Sequence, residues 1–254
     1  MTLLAVERIK LLSTRSPWWC AVASIVLAGS FTALVVGSAT DEFPATVAVT
    51  QYGYQFGLAV IMVLGALSVT TEYRFNTIRT TFQAVPNRTA VLVAKAVVVA
   101  LLALLIGELT AFSSWGLSLV LAPEADLALD STADIVNVAG VGVVFAVAAV
   151  IAVAVGLLVR HSAGAISLLM IYTLAAESMV QLIPEIGDDV YKWLPFNTAQ
   201  KFLTGDGESS GGAAAMGMPL STSPLSPGWA LAYFAGFAVV LLFVAIVTTN
   251  KRDA

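Results

Sequence analysis

Six apolar segments, each long enough to cross a bilayer, constrain the fold of this chain more than any other feature. A helix needs about 20 mostly apolar residues to cross a hydrocarbon core about 30 Å thick. The segments lie at 17–38, 52–70, 91–122, 135–159, 163–183 and 228–249. We therefore predict an all-α membrane protein with six transmembrane helices.

The composition supports a membrane domain and excludes several other classes. Hydrophobic residues make up 59% of the 254 residues and charged residues 11%, whereas soluble domains carry about 25% charged residues. A nucleotide-hydrolysing domain takes roughly 100–200 residues of mixed polarity, so we predict one membrane domain over 1–254 and no cofactor in this chain. Cys20 and His161 are single residues of their type, which excludes an intrachain disulfide and a His/Cys metal cluster. The apolar stretch of the first segment exceeds the 7–15 residues of a signal peptide, which favours a span.

The charges are sorted between the two sides of the predicted bundle. Ten of the twelve basic residues fall on one side with three acidic residues, and the other two fall opposite with eleven acidic residues. Cytoplasmic loops are enriched in Lys and Arg, so we predict that both termini are cytoplasmic. The acidic overall balance gives no reason to expect a nucleic-acid partner.

The loop 71–88, between the second and third segments, is amphipathic. At 100° per residue, Phe75, Ile78 and Phe82 share one face. We predict one helix over 71–82, ended by Pro86, with Arg88 and Lys95 reaching lipid headgroups. The apolar face suits either an interfacial turn or docking on a cytoplasmic partner, and periodicity does not choose between the two.

Specific residues in this loop resemble the cytoplasmic loop of ABC transporter permeases of the type-2 exporter class. The similar runs are Glu72-Tyr73-Arg74, Thr77-Ile78-Arg79 and Pro86-Asn87-Arg88, followed by Lys95. The segment 1–16 resembles the elbow helix of the same class, and so does the outer run Trp193-Leu194-Pro195-Phe196. Asn76 departs from the pattern because such permeases often have Gly there, but Asn tolerates left-handed backbone better than most residues.

The resemblance implies a permease moved by a separate ATP-binding subunit, which holds ATP and Mg. It implies that the loop is a coupling helix and that a second permease subunit, identical or related, completes the assembly in the cell membrane. It further implies outward transport of an amphiphilic, drug-like or lipid substrate. The implied coupling-helix contacts are Glu72, Arg74, Phe75, Thr77, Ile78, Arg79 and Phe82. The implied elbow-helix residues are Glu7, Lys10 and Arg15.

Two acidic residues, Glu108 and Glu177, fall inside predicted spans. A charged carboxylate in mid-membrane costs about 2.5–3.5 kcal/mol on insertion scales, so each should face protein or water or be protonated. They are candidates for a substrate path, or they form interhelical hydrogen bonds to residues such as Ser113, Ser114 or Tyr172. Two other functions are compatible with the sequence: a scaffold without transport activity, and a proton-coupled transporter that uses both glutamates.

The outer loop 184–227 has two parts. The first half, 184–203, combines apolar and acidic residues and predicts short helices at the outer membrane surface. The second half, 204–227, is rich in Gly, Ser, Ala and Pro and predicts a flexible loop.

Overall fold

The computed structural model describes residues 2–40, 44–85, 87–205 and 221–252, and within these ranges the regular structure is helical throughout. Six helical segments are long and apolar enough to cross a membrane, which confirms the predicted six-span all-α fold. They are α2 (Ser16–Gly37), α4 (Tyr54–Arg74), α6 (Arg88–Leu121), α7 (Thr132–Val159), the composite fifth span (Ser162–Val180) and α12 (Pro227–Arg252).

Shorter helices occupy the N-terminal segment and the loops. They are α1 (Leu3–Leu12), α3 (Val47–Thr50), α5 (Thr77–Ala84), α10 (Gly187–Tyr191) and α11 (Pro195–Thr204). Helices α10 and α11 confirm that the first half of the outer loop is helical. The predicted flexible half falls mainly at 206–220, and Pro86 also lies outside the described residues.

The fifth span changes its helical pitch. It begins as α8 (Ser162–Ile171), continues as a π-helix over Tyr172–Ala176 and ends as α9 (Glu177–Val180). A tight turn at Arg160 and His161 joins α7 to the fifth span. Arg160 takes a left-handed conformation at φ 57°, and His161 Nδ1 accepts the Gly164 N–H at 3.1 Å. His161 is therefore a turn residue that caps α8.

Helix α7 is the centre of the bundle and packs against α4, α6 and α12. In the most apolar 18-residue stretch of α7, 67% is buried inside the protein. The corresponding values for α2, the fifth span and α12 are 22%, 17% and 28%. Small residues permit the closest approaches. A Cβ on Gly107 would lie 2.7 Å from Gly142 Cα, and one on Gly53 would lie 2.1 Å from the Ala28 carbonyl oxygen.

Candidate functional site

A buried cluster of ion pairs joins four helices at the basic end of the bundle. Lys95 Nζ, on α6, lies 2.5 Å from Glu7 Oε2 on α1 and 2.8 Å from Glu72 Oε1 on α4. Lys10 Nζ lies 2.9 Å from Glu7 Oε1 and donates to Thr81 Oγ1 on α5 at 3.1 Å. The cluster therefore connects the N-terminal helix and the loop helix to two spans.

The position of Lys95 corrects a prediction. We expected its side chain to reach lipid headgroups, but that side chain is 4% exposed, as against 5% for Glu7 and 14% for Glu72. Two carboxylates on neighbouring helices hold the ammonium group inside the protein. An ion buried to this extent needs such partners, because desolvation would otherwise penalise the charge by several kcal/mol or more.

The electrostatics of α1 follow from this arrangement. Burial by itself would raise the pKa of Glu7, but the charge of Lys95 and the hydrogen bonds from Lys95 and Lys10 outweigh burial and lower the pKa. Burial would lower the pKa of Lys10, but its hydrogen bond to Glu7 and the charges of Glu72 and Glu7 raise it. Both residues are therefore charged at neutral pH, and α1 carries a complementary pair into the cluster.

A cavity of about 530 Å³ opens beside the cluster. Glu7, Lys10, Glu72 and Lys95 line it together with residues of α2, α4, α5 and α6. Phe75 and residues of α5 also line this cavity, so the loop adjoins open space beside the ion pairs.

The loop itself is not the single helix over 71–82 that we predicted. Helix α4 ends at Arg74, and α5 begins at Thr77. Between them, Asn76 takes a left-handed conformation at φ 55°, which ends a helix because the next residues turn away from its axis. The expectation that Asn can replace Gly in this turn is confirmed. The break means that Phe75 no longer shares a helical face with Ile78.

The three apolar residues of the predicted stripe accordingly separate. Ile78 is 4% exposed and Phe82 packs against the main core, so both face the bundle. Phe75 is 68% exposed, and the guanidinium of Arg74 lies 5.6 Å from its ring centroid. The three residues therefore do not share one helical face, because α5 packs its apolar face on its own chain. Their role as contacts for a partner stays a prediction. Arg74, Thr77 and Arg79 are exposed.

The predicted elbow-helix residues have different surroundings. Glu7 and Lys10 belong to the buried cluster. Arg15 lies exposed immediately before α2, where the chain enters the first span. Of these three residues, the structure therefore brings two together with Glu72 of the loop region and leaves one at the surface.

Glu177 makes a defined structural contact. Its carboxylate accepts the N–H groups of Phe196 at 3.1 Å and Asn197 at 3.0 Å. These are N–H groups of the first turn of α11, which have no partner within that helix. Tyr172 also hydrogen-bonds to the carboxyl group. Glu177 therefore caps a helix of the outer loop from within the fifth span, which is closer to the structural alternative than to a substrate path.

Glu108 is placed differently. Its side chain is partly exposed on α6, and its carboxyl group lies over Gly142 of α7, where a Cβ would come within 2.4 Å of Oε1. Within the described ranges its carboxylate makes no hydrogen bond or ion pair. The proposed hydrogen bonds to Ser113 or Ser114 are absent there, and the Ser113 hydroxyl donates to the Thr110 carbonyl oxygen instead. The place of Glu108 on a substrate path stays a prediction.

Two classes of site find no support among the described residues. They contain no group of three or more His, Cys, Asp or Glu side chains that could hold a metal ion. The sequence contains no GxxxxGK[ST] loop for a nucleotide phosphate.

A comparison with family models agrees with the topology. The model for ABC-2 family transporter protein matches residues 3–176, which include α1, the buried cluster and the loop. A comparison with curated proteins gives no match. Membrane subunits of this family are transport components that lack the ATPase site. With its six membrane-crossing helices, the chain therefore belongs to the ABC-2 family of transporter membrane proteins and is a multi-pass permease subunit.

Proposed function

We propose that this permease subunit exports an amphiphilic, drug-like or lipid substrate and is energised by a separate ATP-binding subunit. In this proposal the basic end of the bundle faces the cytoplasm, with both termini there, and the membrane is the cell membrane. A second permease subunit, identical or related, packs beside the chain. ATP and Mg are held by the ATP-binding subunit.

The observation that carries the proposal is the connection between the exposed loop and the spans. Phe75 offers a large apolar surface, and the loop cations Arg74 and Arg79 are also exposed. Aromatic and Arg side chains are the residues that most often dominate a protein interface. The loop bearing them is tied to α1, α4 and α6 by the cluster of Glu7, Lys10, Glu72 and Lys95. A force applied at Phe75 is therefore delivered to several helices at once.

The contact residues differ from those that the sequence alone favoured. Phe75, Arg74, Thr77 and Arg79 form the proposed contact surface, while Ile78 and Phe82 act as the inner anchor of α5. Closure of the ATP-binding subunit would push this surface. Because α4 is continuous from the loop to the opposite end of the bundle, its movement would open a substrate path between permease subunits.

The experiment compares two exposed phenylalanines. Phe75→Ala removes the ring at the loop, and Phe243→Ala removes a ring of equal type and similar exposure, 66%, on the apolar surface of α12. Each variant is co-expressed with the ATP-binding subunit that copurifies with the wild-type permease. Copurification, ATPase activity and transport in proteoliposomes are then measured.

The proposal expects Phe75→Ala to weaken copurification roughly tenfold, since an interface anchor contributes more than about 1 kcal/mol, and to reduce transport with it. Phe243→Ala should copurify as the wild type does. Normal copurification and transport in Phe75→Ala would overturn the assignment of the loop. A complex that copurifies and hydrolyses ATP without moving any tested substrate would favour the scaffold function instead.

A further inference from the structure

Glu108 differs from Glu177, the other acidic residue predicted inside a span, in its lack of a polar partner. Both carboxylate oxygens of Glu177 accept N–H groups of α11. Within the described ranges, the carboxylate of Glu108 has no hydrogen bond and no ion pair. An ionised carboxylate is costly in the hydrocarbon region of a bilayer, and such residues mark ligand or ion pathways more often than other positions do.

Gly142 fixes the position of this carboxyl group. A Cβ on Gly142 would lie 2.7 Å from Cδ of Glu108 and 2.8 Å from its Cγ. The Glu108 side chain therefore lies across the backbone of α7, in the space that a glycine leaves. Because the side chain stays partly exposed, the boundary between α6 and α7 presents a carboxyl group at the surface of the bundle.

Two aromatic residues share the helical face of Glu108. Phe112 lies one turn and Trp115 two turns further along α6, and at 100° per residue both fall within about 40° of Glu108. Their ring centroids are 6.4 Å apart, with perpendicular planes. Trp115 is held in place because its Nε1–H donates to the Leu127 carbonyl oxygen at 2.9 Å. Aromatic rings next to a carboxylate are a combination that suits an organic cation.

The same face of α6 is apolar on the other side of Glu108. Leu105 and Leu101 lie about one and two turns back along the helix, and they are 60% and 57% exposed. These side chains offer hydrocarbon surface beside the carboxyl group. A ligand that matches the whole face therefore has a cationic group and an apolar body.

We propose that Glu108, Phe112 and Trp115 form a binding site for a cationic amphiphile, whose apolar body lies along Leu105 and Leu101. The cation would supply the counter-ion that the described residues do not give to Glu108. An anionic amphiphile would place a second negative charge beside the carboxylate and should be rejected. The role of the ligand as substrate rests on the proposed export function, but its binding does not require the ATP-binding subunit.

The test compares two probes of nearly equal size and opposite charge. Tetraphenylphosphonium and tetraphenylborate each carry four phenyl rings around one charged centre. Binding of each ion to the full chain in phosphatidylcholine nanodiscs is measured separately by equilibrium dialysis, and nanodiscs without protein correct for partition into the lipid. We expect protein-dependent binding of tetraphenylphosphonium and none of tetraphenylborate.

Four variants assign this binding to the site. Glu108→Gln should weaken the affinity for tetraphenylphosphonium roughly tenfold, because it removes the charge that the cation contacts. Glu108→Asp, which keeps the charge, should show an intermediate affinity. Phe112→Leu should weaken binding roughly threefold through the loss of a cation–π contact. Glu124→Gln removes the same charge from an exposed residue three positions beyond the end of α6 and should bind like the wild type.

Thermal unfolding shows whether each variant is folded. If Glu108→Gln does not fold, Gly142→Ala provides the test, because it keeps every charge and displaces the Glu108 carboxyl group. Gly142→Ala should then weaken the binding of tetraphenylphosphonium, and unchanged affinity in this variant would contradict the proposal.

Several results would overturn the proposal. Equal protein-dependent binding of the two ions, or wild-type affinity in folded Glu108→Gln, would show that the carboxylate does not select a cation. An equal loss of affinity in Glu124→Gln would make the effect one of surface charge. Disulfide cross-linking of Leu105→Cys between two permease copies, in a Cys20→Ala background, would make this face a subunit contact.

Reconstitution with the ATP-binding subunit separates this inference from the proposed function. ATP-dependent movement of tetraphenylphosphonium in proteoliposomes, abolished in Glu108→Gln, would support both. Glu108-dependent binding without ATP-dependent movement of this cation or any other tested substrate would refute the export function and leave the binding site intact. Transport of other substrates by a permease that does not bind tetraphenylphosphonium would refute the site and leave the export function intact.

Discussion

Replacing Lys95 with Met keeps an unbranched side chain of similar length but removes the cation that contacts both Glu7 and Glu72. These carboxylates are 5% and 14% exposed, and Lys10, at 36% exposed, is the cluster cation that remains. Removing one partner of a buried ion pair costs about 3–5 kcal/mol because the other charge stays buried. We expect Lys95→Met to lower the free energy of unfolding by about 3 kcal/mol at neutral pH, the low end of that range. The reason is that Lys10, 2.9 Å from Glu7, still compensates part of the buried charge. Denaturant unfolding in detergent measures it.

The size of this loss should depend on pH. In the wild type the pKa of Glu7 is lowered, so its contribution to stability is present above the ordinary value of 4.5 and is lost as the pH falls through the lower folded value. In Lys95→Met the largest opposing charge is gone, so the pKa of Glu7 should rise from its wild-type value. The buried carboxylate then takes up a proton at a higher pH. The stability difference between variant and wild type should therefore narrow as the pH falls from 7 towards about 4.5.

Two further variants make the test specific. Lys192 pairs with Asp189 at 2.8 Å, but this pair is 38% and 76% exposed, so Lys192→Met should leave stability unchanged within error. Glu7→Gln combined with Lys95→Met should recover part of the loss, because one buried charge is removed. A Lys95→Met protein as stable as Lys192→Met at neutral pH, or a deficit that does not vary with pH, would refute the reasoning.

Three other predictions concern the cap, the turn and the mid-membrane carboxylate. Glu177→Ala should lower the free energy of unfolding by about 1–3 kcal/mol, because two N–H groups of α11 lose their acceptor. A wild-type transport rate in folded Glu177→Gln would assign this residue a structural role. Asn76→Val should destabilise by about 1–2 kcal/mol, because a β-branched residue is strained at positive φ, whereas Asn76→Gly should be tolerated; unfolding midpoints compare the two. Glu108→Gln should leave the free energy of unfolding close to that of the wild type but change the transport rate. Gly142→Ala, which displaces the same carboxyl group, should change the transport rate in the same direction. Unaltered transport rates in both variants would remove Glu108 from the substrate path.

The spans were predictable from the sequence because a bilayer sets a minimum length for an apolar helix. The second span was predicted at 52–70 and runs over Tyr54–Arg74; the fifth was predicted at 163–183 and runs over Ser162–Val180. The predicted and observed ends of the second span differ because the helix continues through polar residues such as Thr71 and Glu72, where the hydropathy has already fallen. The π-helical turn at Tyr172–Ala176 was not predicted, because hydropathy does not report a local change of helical pitch.

The burial of Lys95 could not be derived from periodicity, since its partner Glu7 lies 88 residues away. A signal was nevertheless present. Lys95 lies seven residues inside an apolar helix, and Glu7 and Glu72 are two of only three acidic residues on the strongly basic side. A rare acidic residue on the basic side therefore suggests that its carboxylate pairs with a buried cation nearby, as Glu7 and Glu72 do with Lys95.

The division of the loop was missed for a different reason. Phe75, Ile78 and Phe82 fit one helical face, and three residues are too few to reveal an interruption between the first and the second. Asn76 tolerates a left-handed backbone conformation better than most residues do, and this property indicated a turn between Phe75 and Ile78. Tertiary packing then decided which apolar residue faces outwards, because Ile78 and Phe82 are covered by the bundle while Phe75 extends beyond the end of α4.

Cysteine cross-linking between the assembled permease and its ATP-binding subunit tests the central claim most directly. Cys20 is replaced by Ala, and single cysteines are placed at Phe75, on the loop, and at Leu182, which is 77% exposed beyond the other end of the fifth span. The account predicts that Phe75→Cys cross-links to the ATP-binding subunit, with a yield that changes when ATP is added, and that Leu182→Cys does not cross-link to it. A bound ATP-binding subunit that cross-links from Leu182→Cys, or that never cross-links from Phe75→Cys, would contradict the account.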